Sequence, residues 1–316
     1  MSSLFKKPNE LEFVTTIKML VYGQPGIGKS TMALSAPNPV LFDFDGGVQR
    51  VNVAFQCPTL QVKSWEEALQ ALEELKGGEV ECSTIVIDTA GKMLDFMSDY
   101  IMRNDSKMRM RDGSLSLKGY GARKVMFQNF LREVAMMGKN IVFVAHERED
   151  KDGETKIVRP EIGGSSAGDL MKELDLVGYV QAVGSDRTVY WTPQEKFYAK
   201  NTCNLPAWQK IPVIVDANGN VTQQNDTLQK VFGYYEANVK KIEETRKRYN
   251  ELLDEIETAI ENITDAKSAN EFAKAIGSTE IIWDSKVRAR ELFKAKVEQL
   301  KLKWNAKSKT YEDAAA

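Results

Sequence analysis

Gly23-Gln24-Pro25-Gly26-Ile27-Gly28-Lys29-Ser30-Thr31 follows the apolar run Ile17-Lys18-Met19-Leu20-Val21-Tyr22. The first stretch is G-x-x-x-x-G-K-[ST], placed where a strand should empty into a helix, and that context makes it a phosphate loop. Its glycines let successive backbone N–H groups turn inward and form a concavity for anions. Gly23 to Thr31 is therefore the expected nucleotide-binding segment, with Lys29 reaching the β- and γ-phosphates of ATP and the Ser30 hydroxyl holding Mg²⁺. The rest of the chain is placed relative to this loop.

Two further strand ends should face it. Val40-Leu41-Phe42-Asp43-Phe44-Asp45 is stopped by Gly46-Gly47, and its alternation puts both aspartates on one strand face. Thr84-Ile85-Val86-Ile87-Asp88-Thr89 ends a buried run on a carboxylate, the Walker B arrangement, which makes Asp88 the second expected Mg²⁺ contact. An AAA+ ATPase would place a glutamate directly after that aspartate, and here the position is Thr89. The acid that orients water must then come from elsewhere, and Asp45 is the candidate. Asn140-Ile141-Val142-Phe143-Val144-Ala145 forms another buried strand, with His146, the only histidine, at its carboxyl end.

Composition narrows the class. The 316 residues carry 43 Lys plus Arg against 45 Asp plus Glu, a net charge of −2, so contact with nucleic acid requires a local patch. Arg103 to Lys124 supplies one, a glycine-containing run of net +5 that includes Arg109, Arg111 and Lys118. Glu147 to Glu161 is mildly acidic and reads as a hairpin turning at Asp152-Gly153. Cys57, Cys82 and Cys203 are scattered and odd in number, which suits a reducing compartment and no zinc site. With no secretory leader and no run of membrane-spanning length, the expected location is cytoplasmic.

Ser64 to Leu75 is predicted as a helix with a Ser64–Glu67 capping box. Beyond Phe232 the character changes. Val239, Ile242, Arg246, Tyr249, Leu253, Ile256, Ile260 and Ile263 recur at heptad steps. Ser268-Ala269-Asn270-Glu271 should cap a short helix, and Ala289, Phe293, Val297, Leu300 and Trp304 should mark another. Residues 236–316 hold sixteen cations and sixteen acids, so this region reads as an electrically balanced helical module for a partner or for assembly, not as a DNA arm. The expected division is a core of residues 1–232 and a helical module of 233–316, with Ala314 to Ala316 frayed at the end.

The order phosphate loop, Phe-Asp-Phe-Asp-Gly-Gly, Ile-Asp-Thr, basic loop, Val-Ala-His and Gly163-Gly164-Ser165-Ser166 resembles the RecA-like recombinase core, over about residues 15–205. It is most similar to the phage nucleotide-binding proteins related to RecA and RadA that serve in single-strand annealing and recombination. The resemblance implies an α/β fold with a mostly parallel sheet and ATP held at protomer interfaces of a ring or filament. It also implies single-stranded DNA as ligand and a single-strand-binding protein as a further partner. In the same template Asp45 activates water, and His146 takes the place of a γ-phosphate sensor that is commonly glutamine. Lys200 matches the lysine that reaches a neighbour's nucleotide, with Lys196 as second choice. The basic run stands for the first DNA-binding loop and residues 148–162 for the second. The competing readings are a P-loop ATPase that acts on a protein partner, as a replication loader does, and a nucleotide-gated scaffold with little hydrolysis.

Overall fold

A computed structural model describes residues 5–6, 10–152, 155–163, 166–278 and 280–313. Thr15–Glu236 forms one compact unit, and the described residues up to Val14 and from Ala237 on form a second. The expected turn tip at Gly153, the Gly164-Ser165 pair and the terminal alanines lie outside the described residues.

The first unit is built on β1 (Lys18–Gly23), α1 (Lys29–Ala33), β2 (Pro39–Asp43), β3 (Thr59–Gln61), α2 (Trp65–Gly77), β4 (Thr84–Asp88), α3 (Ala90–Asn104) and α4 (Leu117–Met136). There follow β5 (Asn140–Asp152), β6 (Thr155–Pro160), α5 (Ser166–Glu173), β7 (Leu176–Val183), β8 (Asp186–Tyr190), β9 (Lys200–Asn201) and β10 (Trp208–Ile211). The sheet order is β10-β8-β7-β1-β5-β4-β2-β3, with β6 on the end of β5 and β9 on β7. β3, β2, β4, β5, β1 and β7 run parallel, and β8, β10, β6 and β9 pair antiparallel. This is the expected α/β class, a mostly parallel sheet with helices and a helical C-terminal region.

Alternation along each strand sorts the core into two layers, as parallel strands covered on both faces require. Leu20, Tyr22, Phe42, Ile85, Ile87, Phe143 and Ala145 pack under α2 to α5. Met19, Val21, Leu41, Val86, Val142 and Val144 pack on the other face against α1 and the start of α6 (Thr227–Glu261). Trp65, buried at the head of α2, touches both Phe44 and Phe130 and so ties the turn after β2 to α4. The Ser64 cap holds as expected by accepting from the Glu67 amide, but Glu67 returns its bond to the Lys63 N–H, one residue earlier than a capping box requires.

In the second unit the later residues of α6 are joined by α7 (Ala266–Ala275), α8 (Ser285–Gln299) and a hairpin of β11 (Lys303–Asn305) with β12 (Thr310–Glu312). Leu252, Ile256, Ile260, Ile263, Ala269 and Ala289 form its core, so the later part of the expected seam is buried within the chain, with Leu252 in place of Leu253, whereas Ile242 is 45% exposed. Arg246, the polar member, donates to the Leu11 carbonyl and lies over the Phe13 ring. Asp265 caps α7 and Ser268 serves as its third helical residue, which moves the expected cap back by one turn. Trp304 is a strand residue and does not continue α8, because α8 stops at Gln299 and Lys301 takes a left-handed conformation.

Candidate nucleotide site

The last five residues of β1, Met19 to Gly23, are buried, and Gly23 is where the chain must turn over the sheet edge. A Cβ at Gly23 would collide with the Val180 carbonyl oxygen on β7, so only glycine lets the loop leave at this level. Gly28 takes φ of 90° at the head of α1, with no side chain to cap the helix. Gln24 contributes its carbonyl, which accepts from Lys29 Nζ at 2.7 Å, while Ile27 packs its side chain against the core. Pro25, Gly26, Gly28, Lys29, Ser30 and Thr31 all line one cavity of about 570 Å³.

Asp45, Asp88 and His146 line the same cavity. Three parallel strands, β1, β2 and β4, end there and β5 passes alongside at His146, the edge at which open α/β sheets bind ligands. Lys29 is 5% exposed, and burial lowers its pKa against the opposing pull of Asp88, Glu147 and Asp45. The Asp88 carboxyl is pushed up to about 6, chiefly by burial and further by the charges of Asp43 and Asp45. The hydrogen bond from Ser30 is the main influence in the opposite direction, with Lys29 adding to it. Ser30 and Asp88 thus meet, and a buried carboxylate beside a hydroxyl at a phosphate loop fits Mg²⁺, which keeps several waters and binds through one or two protein oxygens plus phosphates. Among the described residues no cluster of three or more His, Cys, Asp or Glu forms a protein-only metal cage. Thr89, the residue in place of a glutamate, accepts from the Lys92 amide and caps α3, and the Asp88–Thr89 peptide is cis.

Asp43 and Asp45 do not share a strand face. β2 stops at Asp43, whose buried carboxylate accepts from the Gly47 and Val48 amides at 2.9 and 3.1 Å. Those two bonds make the following residues a turn, and the Phe44 and Asp45 amides both donate to the Asp88 carbonyl. Asp43 is therefore the brace and Asp45 the presented acid, with Arg50 4.0 Å away. His146 pairs in register with Gly23 but does not end its strand, since β5 continues into the β5–β6 hairpin. Its Nδ1 is buried with no hydrogen-bond partner among the described residues.

Lys200 is not brought to this cavity. It lies on β9 opposite Val177, near the start of β7, and its ammonium donates to the Met171 and Lys172 carbonyls at the end of α5. Lys196 is exposed, and its carbonyl accepts from Val158 on β6, which sets it beside the hairpin at the carboxyl edge. The basic run is also divided by the structure. Arg103 lies in the last turn of α3 and pairs with Glu66, Lys124 pairs with Asp169, and Arg123 is buried, donating to Ser98 and lying over Tyr120. Arg109 and Arg111 remain exposed in the α3–α4 connection, with Lys118 exposed in the first turn of α4.

Three features of the site escape sequence reasoning. Arg187, at the start of β8, lies against the phosphate loop, and among the described residues no carboxylate pairs with it. Glu147 bonds Tyr179 and has a second carboxylate oxygen buried without a partner. The apolar segment Ile211 to Val215 and Phe55 also line the cavity. Position directly after His146 could have marked Glu147; Arg187 carries no local signal.

A mostly parallel sheet whose first strand empties into such a loop, with Ser30 turned onto the strand-end Asp88, defines a P-loop nucleotide-binding core. The chain belongs to the AAA domain family, whose match covers residues 15–203, more than half its length. Among solved structures it is similar to the RadB recombinase, at 14% identity over 55% of this chain and 79% of that one, with a TM-score of 0.34. It is likewise similar to the KaiC-like protein PH0186 from Pyrococcus horikoshii OT3, at 10% identity over 55% and 77%, with a TM-score of 0.33. No curated protein matches the chain. Among the described residues no helix is long and apolar enough to cross a membrane.

Proposed function

We propose that the protein is an ATPase that binds single-stranded DNA in recombination or annealing and works as an oligomer. The observation that carries the hydrolytic part is the convergence of Lys29, Ser30, Asp88, Asp45 and His146 on one cavity. Lys29 and the loop amides bind the β- and γ-phosphates, and Mg²⁺, held by Ser30 and Asp88, would neutralise charge on the phosphates. Asp45 accepts a proton from the attacking water and orients it, and the positive groups stabilise charge that builds on the transferring phosphoryl oxygens. His146, with its unpartnered Nδ1, is placed to register the γ-phosphate and pass the difference along β5 to the hairpin.

Support for the DNA part is the exposed set Arg109, Arg111 and Lys118, which suits the phosphate backbone of a single strand. For a residue reaching a neighbouring protomer, the exposure of Lys196 at the carboxyl edge favours it over Lys200, whose ammonium is engaged within its own chain. The test is the ATPase rate with and without single-stranded DNA, alongside molecular mass in solution. Stimulation by DNA and a mass above that of one chain are expected. Hydrolysis indifferent to DNA would move the reading to an ATPase that acts on protein.

A further inference from the structure

The balance of sixteen cations and sixteen acids over residues 236–316 conceals a division. Residues 236–284 carry seven cations and twelve acids, whereas residues 285–316 carry nine and four. The basic part ends in the β11–β12 hairpin, where Lys301, Lys303, Lys307 and Lys309 are all exposed and none has an acidic partner among the described residues. The acids that follow are occupied, Glu312 accepting from Asn305 Nδ2 at 2.6 Å and Asp313 from the Ala266 amide at 2.9 Å.

Between these lysines stands Trp304, 54% exposed. It is not a loose side chain. Phe272 packs on Phe293, Phe293 on Tyr311 and Tyr311 on Trp304, with ring centroids 5.1, 5.5 and 5.0 Å apart, so the indole is the outer end of an aromatic row rooted in the core of the unit. The turn behind it is fixed too, since Asn305 Oδ1 accepts from the amides of Lys307 and Ser308. A large apolar ring left half in water gives up burial energy that nearby packing could have supplied. A rigid aromatic platform set among unpaired cations is what a single strand uses, its bases stacking while its phosphates meet the lysines.

We infer that the β11–β12 hairpin is a second binding site for single-stranded nucleic acid, with Trp304 as the stacking platform and Lys301, Lys303, Lys307 and Lys309 as the phosphate contacts. It rests on the single-strand function proposed above and deepens it, but uses neither the cavity nor the α3–α4 connection. It is tested on the full chain without nucleotide, with labelled oligothymidylate as probe. Trp304→Ala should weaken binding about tenfold and Trp304→Tyr should restore most of it. The fourfold lysine-to-alanine variant should lower the slope of log affinity against log salt by about 0.7 for each phosphate that a lysine no longer neutralises. Melting temperatures close to wild type establish that the variants fold. Unchanged affinity and slope in both the Trp304→Ala and the lysine variants would overturn the inference, whatever Arg109, Arg111 and Lys118 prove to do. So would variants that lose binding to phosphatidylserine vesicles or to polyglutamate while keeping oligothymidylate, since the face would then serve a membrane or an acidic protein.

Discussion

The Arg187 guanidinium lies so close to Gly28 that a Cβ on the glycine would come within 2.8 Å of Nη1. One residue comes from the phosphate loop, the other from β8, which β7 alone separates from β1 in the sheet, and no carboxylate among the described residues neutralises the arginine. Arg187→Ala should weaken ATP binding by about 10- to 100-fold, the range for losing a charge-assisted hydrogen bond, and Arg187→Lys should recover part of it. Equilibrium binding of a fluorescent ATP analogue reads both. Unchanged affinity would show that the guanidinium only covers the loop.

Asp45 and Glu147 are the two carboxylates near Lys29 that are free of the metal role. Asp45→Asn should lower kcat by about 10²- to 10⁴-fold, the contribution of a positioned base, and leave ATP affinity near wild type. Glu147→Gln should lower it far less, since its partner is Tyr179. Steady-state turnover of the two variants decides the assignment, and a larger loss at Glu147 would exchange the roles.

Not all cations of the basic run should behave alike. Arg109→Ala, Arg111→Ala and Lys118→Ala should each reduce the salt slope of DNA binding by about 0.7. Arg123→Ala should instead lower stability by about 1 to 3 kcal/mol, because it strips the Ser98 hydroxyl of a partner in a buried setting. Urea unfolding and DNA titration of the same four variants separate the two kinds.

Cys203 is 2% exposed, and burial, then the charge of Asp175, pushes its thiol up to about 11. The folded state thus prefers the neutral thiol. Its contribution to stability is complete below the unfolded value near 9 and is lost as pH rises towards 11, about 2 to 3 kcal/mol in all. Urea midpoints at pH 8 and pH 10 should therefore differ less in Cys203→Ala than in wild type. Tyr179, pushed up to about 12 by burial, adds to the slope only above pH 10.

What can be read from sequence is what depends on neighbours in the chain. The strand, loop and helix from Ile17 to Thr31 follow from fixed spacing and alternation, and β4 with Asp88 does too. The end of β2 falls earlier than alternation predicts because Asp43 accepts two amides from the turn beyond it, a choice invisible in a pattern of apolar and acidic residues. Arg123 reads as a surface cation because the Ser98 that receives it comes from another helix. Trp304 of the C-terminal hairpin falls at helical spacing from Leu300, and the stop of α8 at Gln299 with the left-handed Lys301 after it breaks that register. Charge summed over a whole region hides the hairpin's polarity for a different reason, since a total says nothing about segregation.

β5 runs without interruption from Asn140 to Asp152, a strand of the sheet in its first part and one leg of a hairpin in its last. No joint separates His146 from the exposed Lys151 five residues further on. A dye attached at that lysine would sit on the same strand as the histidine, which makes the hairpin the natural dial on which to read whether the cavity is empty or filled.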